Sequence, residues 1–462
     1  MLCNNVITTL LNEKQSSFRV YAACANKVIS EKIKIIPAAI TLYRRTLNTM
    51  LVTAAIFVFT YALISIGNFP KIKMDRGIAA AIGGILVLVF GIVSVTDVPD
   101  YINLNVIFLL LGMMMLVAGL EFSGFFRIVS DFLIRFSGSK VRLLAYVMII
   151  CAVLSAVALN DAVVLIFTPI VIRCCRSTNS NPIPYLIGVM FSANIGSLAT
   201  SVGNPQNAYI ASKAGLSFIQ FSAHTLPISL ACLPIAFIII YLIFRKNLSA
   251  DSNVAALRKE ADIDRPRLWA VVIILLGALV GFVLSGPIGI PIYEIAMTAG
   301  VLTLIVVMTK SPKNIIWVAK KVDWRILIFF IGLFVLMGAV EKSGLLAQIA
   351  SYFPGFGNGG TPSIVGVAAF SAVLSNLVSN VPAAMLIGNM LPAGNSMLWF
   401  ALASSLTLAG NATLIGSAAN VIVSERSEDE GVHFSFWRFA LIGVPVAVIT
   451  ILVAVGIMTL MS

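Results

Sequence analysis

The chain has 462 residues, of which 59% are apolar and 11% charged, and its mean hydropathy is +1.01. Soluble domains carry about 25% charged residues because their surface faces water, so that class is excluded. The net charge of +12 accompanies two histidines and six cysteines without metal or disulfide spacing; no His-based catalytic or metal site is expected, the adjacent Cys174 and Cys175 read as small apolar filler, and the charge reads as membrane orientation rather than nucleic-acid affinity.

Residues 1–48 form a basic tail, with Lys14, Arg19, Lys27, Lys32, Lys34, Arg44 and Arg45, no span-length apolar run and no secretory signal pattern. Apolar runs follow at 50–66, 77–93, 268–284 and 439–461. Each is near the roughly 20 residues that cross a bilayer core. The expected fold is an all-α polytopic membrane protein. The Met run 113–115 reads as packing or lipid surface, and 125–140 as an amphipathic interfacial helix.

The chain repeats itself. Residues 101–132 align with 321–352 at an offset of 220, which pairs Gly112 with Gly332, Glu121 with Glu341 and Gly124 with Gly344. The same offset carries Asn160 onto Asn380. Further on, TSVGNPQN (200–207) and TLIGSAAN (413–420) share T-x-x-G-x-x-x-N at an offset of 213. Repeat one is expected over 49–245, a cytoplasmic linker over 246–267, and repeat two over 268–462. Each repeat reads as three spans, a re-entrant hairpin, a broken span and a final span, or about 10 spans in all.

Five crossings per half would invert the second repeat, and loop charges agree. The loop 67–76 has three basic residues against none in its partner 285–294; 94–105 has none against five in 309–325. Apart from the tail, only Lys213 and Lys342 fall on the less basic face. The basic face is expected in the cytoplasm and the chain in the cell (inner) membrane. The same count sends the tail outside, against its charge. An exported tail, a chain that works from near Met50, or a tail segment inserted in the membrane would each account for this.

Inverted repeats with broken helices place transporter sites where the repeats meet near the midplane. The polar, Gly- or Pro-interrupted segments are 159–169 and 194–207 in the first half, and 379–386 and 408–420 in the second. Backbone that leaves the helix exposes carbonyls for a cation and N–H groups for an anion, and Asn, Ser and Thr add neutral ligands. Candidate binding residues are Asn160, Asp161, Thr200, Gly203, Asn204, Asn207, Ser379, Asn380, Asn411, Thr413, Gly416, Ser417 and Asn420. Sodium would sit at Asn160, Asp161 and Thr200. Asp161 stands in an apolar run, where a charge costs several kcal/mol. It reads as a proton or cation site, against the alternative of a carboxylate capping a half-helix. Its counterpart is Val381, so the repeat is not chemically symmetric. Glu121 and Glu341 read as span ends, and Pro205 and Pro382 either kink their helices or shape the site.

SANIGSLATSVGNPQNAYIAS (192–212) and AGNATLIGSAANVIVSE (409–425), with the hairpin motifs around Asn160 and Asn380, resemble the ion transporter superfamily. This group spans arsenite permeases, NhaD-type antiporters, and citrate and divalent-anion symporters. The resemblance covers residues from about 50 onward. It implies a homodimer with a scaffold and a moving transport domain, working by elevator-type alternating access. It also implies that Asn160, Asn380, Thr200, Gly203, Thr413 and Gly416 take ligand-binding positions. The tips read Leu-Asn-Asp and Ser-Asn-Val, departing from the symporters' Ser-Asn-Thr pattern. The function expected is secondary transport of an inorganic or small organic anion, or an arsenite-like solute, driven by proton or sodium. A sodium/proton antiporter and an uncoupled channel are the alternatives. No enzyme activity, cofactor or nucleic-acid partner is expected.

Overall fold

The computed structural model describes residues 48–64, 75–136, 138–248, 263–352, 360–392 and 394–461. The expected basic tail, apart from Asn48, and linker residues 249–262 lie outside these. All regular structure among the described residues is helical.

The first half runs α1 (Asn48–Ile64), α2 (Arg76–Val89), α3 (Val98–Tyr101), α4 (Leu104–Phe122), α5 (Phe125–Phe136), α6 (Lys140–Val157), α7 (Asn160–Ser177), α8 (Pro182–Leu198), α9 (Pro205–Ala214) and α10 (Phe218–Leu248). The second half repeats that order: α11 (Arg265–Ile288), α12 (Ile292–Met308), α13 (Asn314–Lys321), α14 (Trp324–Lys342), α15 (Leu345–Ser351), α16 (Gly360–Val378), α17 (Asn380–Gly388), α18 (Ser396–Ala409), α19 (Ala418–Asp429) and α20 (Phe436–Met461). The ends of the linker are helical: α10 continues to Leu248 past a kink at Phe244, and α11 starts at Arg265, capped by Asp264.

Seven of these helices are long and apolar enough to cross a membrane: α4, α6, α10, α11, α14, α16 and α20. That is fewer than the ten expected spans, for two reasons. The breaks divide α8 from α9 and α18 from α19, and α1, α2 and α12 run 17 residues or fewer. Two of the seven, α6 and α16, are arms of helical hairpins, with α7 and α17 as the second arms, so five of the ten expected spans pass this length criterion.

The halves clasp each other reciprocally, α2 against α14 and α12 against α4. Small residues make this possible. A Cβ on Gly332 would lie 2.5 Å from the carbonyl oxygen of Ala80, and one on Gly112 2.4 Å from that of Ala296. Such close approach replaces hydrophobic driving force where the surroundings are as apolar as the helices. Outward residues such as Leu230, Leu242, Ile273, Val280, Leu441 and Leu452 are exposed, as a lipid-facing surface requires. Met113, Met114 and Met115 are buried, so that run is packing rather than lipid surface.

Helix α5 buries Phe126, Val129 and Leu133 and exposes Arg127, Asp131 and Arg135, the amphipathic pattern expected. Glu121, at the end of α4, pairs with Lys321 from α13. Lys342, at the end of α14, reaches Asp97 at 2.7 Å. That hydrogen bond holds the exposed Asp97 carboxyl below its usual range.

Candidate functional site

Four irregular segments meet inside the bundle. Two are hairpin tips, at 158–159 between α6 and α7 and at Ser379 between α16 and α17. Two are breaks, over 199–204 between α8 and α9 and over 410–417 between α18 and α19. Pro205 is the first residue of α9, where its missing N–H costs nothing, so it starts a helix rather than kinking one.

The two breaks are held open by equivalent bonds. Asn207 Nδ2 donates to the carbonyls of Ser197 and Thr200, each at 3.1 Å. Asn420 Nδ2 donates to those of Gly410 and Thr413, at 2.7 and 3.0 Å. Every partner is related by the 213-residue offset. The Thr200 hydroxyl donates to the Ala156 carbonyl at 2.6 Å, and Thr413 donates to Asn376 Oδ1 at 2.9 Å. Asn204 caps α9 through Asn207 N at 2.8 Å and donates to Ser197 Oγ at 2.9 Å.

The breaks are also tied to each other. Asn194 Nδ2 donates to Asn411 Oδ1 at 2.9 Å and Asn420 Oδ1 at 3.1 Å, and Ser417 Oγ donates to Asn194 Oδ1 at 2.8 Å. Thr407, the counterpart of Asn194, donates to Asn207 Oδ1 at 3.4 Å. All these asparagines are buried, and the bonds link the two breaks into one network in which only Asn411 Nδ2, among the described residues, is left without a partner. Asn204, Asn207, Thr413 and Asn420 therefore spend their side chains on the frame of the site. Asn194, Thr407, Gln206 and Asn376 belong to that frame as well. The residue types alone did not single them out, although Asn194 and Thr407 match at the same offset.

The tips differ. At the second, the Asn380 amide, oriented to satisfy its surroundings, donates to the carbonyls of Leu406 and Gly416 at 3.0 and 3.1 Å and accepts from Gln206 Nε2 at 3.3 Å. The Tyr61 hydroxyl donates to the Pro382 carbonyl at 3.2 Å. Ser379 holds φ at 78° and ψ at 160°, a conformation costing a non-glycine residue about 1–3 kcal/mol. At the first tip, Leu159 is unstrained and extended. It is docked on the first break, Asn160 N donating to the Gly203 carbonyl at 2.9 Å beside the Thr200–Ala156 bond.

A Cβ on Gly203 would lie 2.3 Å from the Ser197 carbonyl oxygen and 2.8 Å from that of Ser155, so only glycine allows this contact. Asn160 Oδ1 accepts from Asp161 N at 2.9 Å. Asn160 Nδ2 and the Asp161 carboxylate make no hydrogen bond among the described residues, although these side chains are 3% and 6% exposed. Ser155 Oγ and Ser201 Oγ, on the same tip and break, are also buried without partners. Ser371, Ser404, Ser405 and Asn411 of the second half carry unmet groups as well, but at the first tip such groups gather beside a buried carboxylate, and leaving that set unmet costs free energy that a ligand would recover.

Arg76, the first residue of α2, lies within electrostatic reach of Asp161 and of Glu425 on α19, and Asp323 from α14 also acts on Asp161. The sequence placed no cation beside Asp161, because Arg76 belongs to a loop-and-helix start far away along the chain. A cleft of about 420 Å³ is lined by Asn105, Ser212, Pro291, Ile292 and Tyr293, among others.

A family model described as "Citrate transporter" (CitMHS) matches residues 61–407. The chain belongs to the CitMHS citrate transporter family. This family falls within the ion transporter and arsenical pump group that the break and tip motifs resemble. A "46 kDa membrane protein" of Mycobacterium leprae (strain TN) is 30% identical over 424 residues, covering 87% of this chain and 96% of that one. "Silicon efflux transporter LSI3" of Oryza sativa subsp. japonica is 27% identical, over 84% and 93% of the two chains. "Arsenical pump membrane protein" of Escherichia coli is 28% identical, over 72% and 79%. Among solved structures, the Alcanivorax borkumensis YdaH transporter aligns with a TM-score of 0.51 at 14% identity, covering 79% of this chain and 87% of that one. That likeness shows the fold. The CitMHS chain described here is a multi-pass membrane transporter.

Proposed function

We propose that this transporter moves a small anion or an arsenite-like solute, coupled to a proton or sodium gradient through Asp161. The observation that carries the reading is the gathering of a buried carboxylate with unmet polar groups at the first tip. Asn160, Asp161, Ser155 and Ser201 offer a carboxylate, an amide and two hydroxyls with no other work to do. Oxygen-rich sites of this kind suit a hard cation, and the Thr200 hydroxyl, which donates to Ala156, keeps lone pairs for the same ion. For the solute, α17 and α19 begin without side-chain caps at Ser379 and Ser417, and their positive ends suit a negative or oxygen-bearing group.

In this reading the two repeats have inverted topology and α6–α7 and α16–α17 are re-entrant hairpins. The hairpins and broken helices move as a unit against the clasped pairs α2–α14 and α4–α12. The chain works as a homodimer in the cell membrane with its linker in the cytoplasm. The names of the rice and Escherichia coli relatives set the solute panel: arsenite and silicic acid, with citrate, succinate, phosphate and sulfate beside them.

The test is flux in proteoliposomes under imposed proton or sodium gradients, one at a time. Solute movement that follows one gradient supports the proposal, and its direction separates symport from exchange. Cation exchange indifferent to every solute would make the chain a sodium/proton antiporter. Solute flux indifferent to both gradients would make it a pore.

A further inference from the structure

Helix α13 joins α12 to α14 and has eight residues, about 12 Å of helix, so it cannot cross a bilayer core of about 30 Å. Its N-cap, Lys313, already has helical backbone angles. At about 3.6 residues per turn, three sectors follow around the axis. Trp317 and Val318 face α4: Val318 is buried, and the Trp317 ring meets that of Phe122 at 5.2 Å. Lys321 stays on this side, over the Trp317 ring and paired with Glu121. Ile315, Ala319 and Ile316 form an outward sector, in which the two isoleucines are 44% and 57% exposed. Lys313 and Lys320, two turns apart, form the third sector beside it. Both are exposed, and neither pairs with an acid among the described residues. Lys310 is exposed in the turn before the helix.

Packing of the repeat does not require this pattern. The corresponding short helix of the first half, α3, ends at Tyr101 as α13 ends at Lys321, again 220 residues apart. That offset sets Trp317 against Asp97 and Lys320 against Asp100. It also sets the Trp317–Phe122 ring contact against the Asp97–Lys342 ion pair. One junction is closed by rings and bordered by unpaired lysines, the other by a salt bridge beside an exposed acid. Trp324, the first residue of α14, marks the depth of α13. Its Nε1 donates to the Ala319 carbonyl at 2.8 Å, while its ring is 51% exposed. An indole with its N–H satisfied and its apolar face outward belongs at the boundary between headgroups and acyl chains.

We propose that α13 is a docking surface for an anionic phospholipid. Ile315, Ile316 and Trp324 enter the acyl boundary, and Lys313 and Lys320 hold the phosphate-bearing headgroup. An exposed apolar row flanked by unpaired cations is complementary to a lipid. A soluble anion would leave the isoleucines in water. A second copy docked face to face would set the same lysines against each other. Neither the solute nor Asp161 enters this inference, so it stands or falls apart from the function proposed above.

The experiment titrates the full chain in detergent with phosphatidylglycerol or phosphatidylcholine. Native mass spectrometry reads both the bound lipid and the oligomeric state. The wild type should bind phosphatidylglycerol about 20-fold more tightly, the effect of two lysines at an anionic headgroup. That preference should shrink as ammonium acetate is raised, because salt screens exposed charges. Lys313→Gln with Lys320→Gln should bring the ratio close to one. Lys213→Gln with Lys342→Gln removes the same charge from the face expected to be less basic and should leave the ratio unchanged. Ile315→Ser with Ile316→Ser should weaken both lipids alike. All these side chains are exposed, so the variants should keep the wild-type melting temperature.

A wild type without headgroup preference overturns the inference, and so does a ratio that survives loss of Lys313 and Lys320. Equal losses in the two lysine pairs would make the preference a matter of net charge and overturn it as well. Displacement of phosphatidylglycerol by inorganic phosphate would make the lysines a free-anion site instead. Dimers lost from the Lys313→Gln and Lys320→Gln variant with lipid binding unchanged would make α13 a contact between copies. Each of these two outcomes also overturns the lipid assignment.

Discussion

The two hairpin tips occupy corresponding positions 220 residues apart and are docked in opposite ways. The second is held by a side chain, Asn380, whose amide is shared among Leu406, Gly416 and Gln206, and it bears the strained Ser379. The first is held through its backbone carbonyl and N–H groups, Ala156 by the Thr200 hydroxyl and Asn160 by the Gly203 carbonyl, and its own Asn160 Nδ2 and Asp161 carboxylate stay open. A duplicated fold can thus keep one copy of an element as structure and free the other for chemistry. The asymmetry extends outward, since Arg76 and Asp323 act electrostatically on Asp161, whose counterpart is the neutral Val381.

The sharpest way to break this contrast is at Asp161. Asp161→Asn should reduce gradient-driven flux to that of protein-free liposomes while leaving the melting temperature in detergent near wild type. Coupled transport by this variant would remove Asp161 from the mechanism. Val381→Asp added to Asp161→Asn should not restore flux, because the Asn380 amide beside it is already taken up by Leu406, Gly416 and Gln206.

The two asparagines should separate stability from transport. Asn380→Ala leaves two carbonyls and Gln206 without their partner and should cost about 2–4 kcal/mol of thermal stability. Asn160→Ala loses one local bond and should cost under about 1 kcal/mol, yet abolish transport. Equal losses of stability would erase the distinction drawn between the tips.

Glycines beneath the tips give a smaller difference. A methyl on Gly203 meets two backbone oxygens, which cannot move aside, whereas one on Gly416 first meets Asn376 Oδ1 at 2.7 Å, the end of a side chain. Gly203→Ala should therefore cost about 3 kcal/mol and Gly416→Ala about 1 kcal/mol, as overpacking does in rigid and yielding surroundings. Protein yield and detergent melting curves of the pair would show it.

The smallest effect belongs to the exposed Asp97–Lys342 pair, far from either tip. Asp97 has a lowered carboxyl pKa because Lys342 donates to it, so its contribution is present above the unfolded value near 4 and fades as pH falls through the folded one. Asp97→Asn should leave flux unchanged, with any melting difference seen at pH 7 and gone at acid pH.

Much of the site was legible along the chain because a repeat betrays itself by register. The T-x-x-G-x-x-x-N segments turn out to be the two breaks, and the last residue of each motif bonds back to its first. The candidate residues all fall in or beside one polar core. Roles were less legible, because an asparagine that builds a frame and one that awaits a ligand are the same letter. Asn207 and Asn160 differ only in whether neighbours consume their amides.

The sequence alone determined that this is a duplicated helical membrane protein with polar breaks in each half, since apolar run length and fixed offsets are properties of the chain. Only the tertiary structure decided which tip is open and which cation lies within electrostatic reach of Asp161. Both depend on hydrogen bonds and charges between segments separated by tens to hundreds of residues. Arg76 lies 85 positions before Asp161 and Glu425 lies 264 after it, and no local pattern could have joined them.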